Sequence, residues 1–155
     1  MLVKEIIIHH SASSKNKTTV DDINNWHKVR WPDFKSSLGY WIGYHFVITG
    51  DGKLIQTRKS NELGAHCVPN DGKVGICLTG NFDIEEPNKE QLNSLTILLE
   101  QLKREYNLED KNIFGHCEKS QTACPGKNLV KWIYLNRQVS ILQKLINLLK
   151  SFLKS

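Results

Sequence analysis

Residues able to hold a transition metal recur at the ends of apolar runs in this chain. His9 and His10 close "EIIIHH", His116 closes "KNIFGH", and Cys124 lies in the following loop "CEKSQTACPGK". Neutral imidazole and thiolate are preferred zinc ligands, and a catalytic zinc takes three protein ligands and leaves a fourth position for water. Two strand ends and a neighbouring loop can converge in this way. Spacing alone does not decide it, because ligands so distant in sequence match no compact zinc pattern, and a lone strand histidine is more often a hydrogen-bonded structural residue. Adjacent residues on a strand face opposite sides, so His9 and His10 are not expected to share one ion.

The elements that must position these residues follow from periodicity. "EIIIHH" is a buried strand followed by the polar loop "SASSKNK". Thr19 is an N-cap for a short amphipathic helix carrying Val20, Ile23 and Trp26 or His27, which ends before Trp31-Pro32. "GYHFVITGDGKLIQT" is a hairpin turning at Asp51-Gly52, with alternation placing Tyr44, Phe46 and Ile48 on one face and His45 and Val47 on the other. "KVGICLTGNF" supplies a further strand. Leu92, Leu95, Leu99, Leu102 and Tyr106 make a long helix, with Asn88 and Gln91 placed as a capping box, and "KNIFGH" is a short strand. This order predicts a single α/β domain over 1–134, a mixed central β-sheet flanked by helices.

At 155 residues, with 39% hydrophobic and 24% charged, the chain has the size and composition of one ordinary globular domain. "MLVKEIIIHH" reads as neither a secretory signal nor a membrane span, so synthesis in a cytoplasm and reduced thiols at Cys67, Cys77, Cys117 and Cys124 are expected. The net charge of +5 is uneven. Seven basic residues and no acidic one lie between 119 and 155, which leaves the rest of the chain net negative. No basic run with interleaved aromatics argues for nucleic acid.

Taken in order, "IIIHHSAS", "GYHFVITGDGKLIQTR", "GAHCVPNDGKVGICLTGNF", "QLNSLTILLEQL" and "GHCEKSQTACPG" resemble the zinc-dependent N-acetylmuramoyl-L-alanine amidases, a family that includes amidase-type phage lysozymes and the animal peptidoglycan recognition proteins. The resemblance covers about residues 3–132. It implies zinc (Zn2+) held by His9, His116 and Cys124, with bacterial peptidoglycan as substrate. Recognition proteins that bind without cutting typically lack the cysteine, so Cys124 favours an enzyme. Tyr44 in "GYHF" matches the family's catalytic tyrosine. Thr122 stands where phage lysozymes place a catalytic lysine and catalytic recognition proteins a threonine, and its hydroxyl offers an oxyanion a neutral donor in place of a cation.

The implied reaction is hydrolysis of the amide between N-acetylmuramic acid and L-alanine. A phage endolysin, made in the host cytoplasm and acting on the wall after release, is the expected setting. A bacterial autolysin or recycling amidase and a non-catalytic recognition module are the alternatives. His66 matches a position lining the substrate cleft in relatives, and Asn81, Phe82, Trp41 and Arg58 are further candidates for substrate contact. His10 and His45 are expected to be structural, His27 structural or at the rim, and Cys117 a buried thiol facing away from His116.

Past Trp132 the resemblance fades. In 135–155, Leu135, Val139, Leu142, Ile146, Leu149 and Leu153 recur at helical spacing, with Ile141, Leu145, Leu148 and Phe152 in an adjacent row, making a basic amphipathic C-terminal helix. Three occupants suit its apolar stripe: the domain's own core, a second copy through self-association, or the anionic lipid of a bacterial envelope.

Overall fold

The computed structural model describes residues 2–152. Five strands form one sheet: β1 (Glu5–His10), β2 (Phe46–Ile48), β3 (Leu54–Gln56), β4 (Lys73–Leu78) and β5 (Ile113–Gly115), in the order β3-β2-β4-β1-β5. β1 runs parallel to both neighbours, with Ile8 opposite Ile76 on β4 and Gly115 on β5, whereas β3 is an antiparallel edge strand. The helices are α1 (Val20–Arg30), α2 (Lys89–Tyr106) and α3 (Lys127–Phe152). The single mixed α/β domain expected from the sequence is therefore present.

Each face of the sheet buries its own core. Ile6 and Ile8, Val74, Ile76 and Leu78, and Phe46 and Ile48 pack against Leu95, Leu98, Leu99 and Leu102 of α2 and Leu129 and Ile133 of α3. On the opposite face, Val47 and Cys77 meet Ile23 of α1 and Ile42, and Tyr44 packs against this second cluster. The period of two along β1 sends Ile8 and His10 toward α2 and α3, and Ile7 and His9 to the other side.

Tyr44 does not share a face with Phe46 and Ile48, as simple alternation predicts. β2 begins only at Phe46, and both Thr57 and Arg58 donate their N–H to the His45 carbonyl, so the ladder is irregular there. The two-residue period does not extend back through such a break.

Both helix starts carry reciprocal caps, at Thr19 with Asp22 and at Asn88 with Gln91. Asn88 also donates its side-chain amide to the Gly50 carbonyl at 2.6 Å, which ties the start of α2 to the β2–β3 hairpin. α3 is one continuous helix, so the boundary expected at 134/135 falls inside it. Leu129 and Ile133 anchor its first turns. Leu135, Val139, Leu142, Leu145 and Leu149 are instead exposed. Leu153 of the expected stripe lies outside the described residues, as do the side chains of Ile141, Leu148 and Phe152.

Asn88→Ala should cost about 1–2 kcal/mol through loss of the cap and the hairpin tie. Urea unfolding should show this as a lower midpoint at an unchanged slope.

Candidate active site

The C-terminal ends of β1 and β5 are neighbours because the two strands pair in parallel, and this brings His9 beside His116 with ring centroids 4.5 Å apart. His116 opens a short 3-10 turn after β5, where the chain reverses into the loop that carries Cys124. That loop is pinned by the Cys117 N–H donating to the Cys124 carbonyl at 2.7 Å. Gly126 follows with φ 88°, and a Cβ there would meet the Phe82 backbone at 2.4 Å, so only glycine lets the loop lie this close. Ligand atoms of His9, His116 and Cys124 all fall within 4.8 Å of one another.

The second ring nitrogen of His9 fixes which atom faces the cluster. His9 Nδ1 looks to Cys124 Sγ at 3.6 Å, while His9 Nε2 lies 3.1 Å from His66 Nδ1. An imidazole that ligates through Nδ1 carries its proton on Nε2, where His66 Nδ1 accepts it. Gly75 on β4 makes room for this partner, because a Cβ there would stand 2.7 Å from the His66 ring. The His66 main-chain N–H is held in turn by Asn70 Oδ1 at 2.8 Å. His66 Nε2 is buried without a hydrogen bond, although the Lys73 backbone lies near enough to influence its protonation.

Burial is the main influence on protonation. It pushes His9 well below the ordinary histidine value, with His66 and His116 as neighbouring charges adding to the effect. His66 falls to about 3 for the same leading reason, and His116 is lowered, first by burial and then by the Lys73 ammonium. These rings are neutral at pH 7, the form that ligates metal. Burial raises the Cys124 thiol to about 12 in the metal-free chain, opposed by the His10 N–H that donates to its sulfur at 3.4 Å.

Tyr44 stacks beside His9 at 5.0 Å and His27 at 5.3 Å. Burial, with the Cys77 and Cys124 sulfurs nearby, holds its phenol well above 10, so the hydroxyl keeps its proton and acts as a donor. Thr122 is exposed on the cleft wall, where its Oγ1 accepts the Cys124 N–H at 3.2 Å and leaves its own proton free for a ligand. His9, Tyr44, His66, Asn81, His116, Thr122 and Cys124 all line one cleft of about 780 Å3.

Three expected substrate contacts lie elsewhere. Phe82 is fully buried in the core beneath α2 and α3, where its backbone N–H donates to His10 Nδ1. Arg58 is 4% exposed and spends its guanidinium on the Ile42 and Phe34 carbonyls, so it is neither a cleft residue nor a surface cation. Trp41 is outside the cleft lining, its indole N–H donating to the Pro32 carbonyl and its ring covered by Lys28 and Lys35. Cys117 is only partly buried, and because it follows His116 in the 3-10 turn, strand alternation does not govern its direction.

His45 is structural. It accepts the Gly75 N–H and binds the Glu62 carbonyl, wholly buried. His27 accepts the Gly43 N–H and also lines the cleft, so it is structural and rim at once. Arg30, Asn70, Asp83 and Ser120 join the lining without having been anticipated, since nothing in their local sequence separates them from ordinary surface residues.

Comparisons with known proteins identify its relatives. A family profile described as N-acetylmuramoyl-L-alanine amidase matches residues 1–127. Peptidoglycan-recognition protein SD of Drosophila melanogaster is 42% identical over 128 residues, covering 79% of this chain and 67% of the relative. The endolysin of Escherichia phage T7 is 31% identical over 143 residues, covering 87% and 88%. Among solved structures, the N-acetylmuramoyl-L-alanine amidase LysC of Clostridium intestinale superposes with a TM-score of 0.71 at 32% identity, covering 83% of this chain and 79% of that one. This chain belongs to the N-acetylmuramoyl-L-alanine amidase family.

Proposed function

We propose that the protein is a zinc-dependent enzyme that hydrolyses the amide joining N-acetylmuramic acid to L-alanine in bacterial peptidoglycan, acting as a phage endolysin. The observation that carries this reading is the convergence of His9, His116 and Cys124 to within 4.8 Å on a cleft that also holds Tyr44 and Thr122. Two imidazoles and a thiol suit zinc by number and by donor type. A zinc ion held there would supply Lewis acidity toward the scissile carbonyl and an activated water.

The chain's own residues do the rest. His66 accepts the His9 Nε2 proton and so holds Nδ1 toward the ion. The His10 N–H gives the Cys124 sulfur a donor that favours its thiolate. Tyr44 and Thr122 are both neutral hydroxyls at the cleft, placed to donate hydrogen bonds to the oxyanion that develops at the carbonyl. No lysine lines the cleft among the described residues; Arg30 is the cationic side chain of the lining, and Tyr44 and Thr122 are its neutral hydroxyl donors.

The endolysin setting is supported by relatives of matching extent, since phage endolysins align over 84–89% of their own length. In that setting the enzyme is made in the host cytoplasm and reaches the wall after release. The similarity to peptidoglycan-recognition protein SD favours a second reading, a module that binds muropeptide without cutting it.

Peptidoglycan digestion with product analysis separates the two. Wild type loaded with zinc should release stem peptides, and Cys124→Ala or chelated protein should release none. Folded, zinc-loaded wild type that binds peptidoglycan without releasing stems would establish the recognition module instead.

His9→Ala should abolish zinc binding, whereas His10→Ala, which keeps the main-chain donor to Cys124, should bind nearly as wild type; equal losses would overturn the division between them. His66→Ala should weaken zinc affinity about 10–100-fold, measured by competition with a chromophoric chelator. Proton release tests the protonation states directly. At pH 7.5, titration calorimetry in buffers of different ionisation enthalpy should show about one proton leaving per zinc from the protein, from Cys124, because the lowered histidines are already neutral there.

A further inference from the structure

α3 runs on for fifteen residues after Arg137. The Arg137 guanidinium clamps the helix to the domain, pairing with Glu118 and donating to the Ile113 carbonyl. Beyond that clamp, among the described side chains, Val139 is 66% exposed, Leu142 59% and Leu149 62%, while Ile146 is half-buried. At 100° per residue, Leu135, Val139, Leu142, Leu145 and Leu149 occupy an arc of about 120°. Tyr134, also exposed, extends it on the Leu145 side.

Width and charge select the occupant. A two-helix seam uses a narrower strip, with opposite charges flanking it on the partner. Here Leu145 and Tyr134 lie outside such a strip, and beyond Arg137 the chain carries Lys144, Lys150 and Lys154 and no acidic residue. A second copy would bring only like charge. An apolar arc of this width on a wholly basic helix fits the interface of an anionic bilayer, where leucines enter the acyl boundary and lysines meet the headgroups. Among the described residues, no helix is long and apolar enough to cross a membrane, so the helix would lie along the surface.

We infer that the segment of α3 beyond Arg137 is a docking surface for anionic phospholipid bilayers. Its direction suits an enzyme with a separate target. Cys124 sits at the end of the sheet where β1 and β5 finish, whereas Arg137 reaches Ile113, where β5 starts. The free part of α3 therefore leaves the domain at the end opposite the cleft, and a docked molecule keeps its cleft open.

Cosedimentation of the full chain with phosphatidylethanolamine–phosphatidylglycerol vesicles, and with phosphatidylcholine vesicles, tests this apart from catalysis. Binding should be confined to the anionic vesicles and should weaken as salt rises. Leu142→Asp with Leu149→Asp should reduce it at least about tenfold, with unchanged zinc affinity as the measure of an intact domain. Failure of the wild type to bind anionic vesicles would overturn the proposal. So would equal binding by the double variant, or a lipid-free dimer that the same substitutions dissociate.

Discussion

The pairing of β1 between β4 and β5 is the constraint on which the site depends. Three isoleucines, Ile6, Ile7 and Ile8, are completely buried on that strand, and its parallel register sets where every later residue falls. A slip of one residue would turn His9 into the core beneath α2 and present His10 to the cleft. Burial of the isoleucines thus supplies the free energy that orients a ligand, and the chemistry is fixed by packing several residues away from it.

Burial also decides the protonation states. A cluster of imidazoles packed this closely cannot all be charged, and removal from water already disfavours the cation at each. The same environment opposes ionisation of Cys124, so a metal bound there would have to displace that proton. The His10 N–H is the group of the chain that favours the thiolate. Ligand geometry and acid–base behaviour therefore have a common origin in the dry floor of the cleft.

Much of this was legible in the sequence because it was local or periodic. The caps at Thr19 and Asn88, the Asp51-Gly52 turn and the helical repeat of α2 are short-range patterns, and the structure contains each of them. Opposite facing of His9 and His10 followed from strand geometry alone. The convergence of His9 with His116 and Cys124 did not, since the chain order of the sheet is not written in any single segment. The family resemblance supplied that link. Phe82 and Arg58 were misplaced for a different reason: an aromatic in a turn and an arginine after a strand look like surface residues, and only tertiary packing reveals one as core and the other as a cross-brace between loops. Tyr44 changed face because the ladder is irregular at His45.

The Arg137 clamp divides one unbroken helix into two regions of different tolerance. Upstream, Leu129 and Ile133 are bound to the core, and the helix begins three residues after Cys124, so a change there reaches the ligand loop directly. Downstream, the described leucines Leu142, Leu145 and Leu149 are exposed, so substitution there leaves the His9, His116 and Cys124 cluster undisturbed. Arg137 is accordingly a natural joint for protein engineering: a foreign peptide grafted after it would inherit a rigid stalk and leave the hydrolytic chemistry intact.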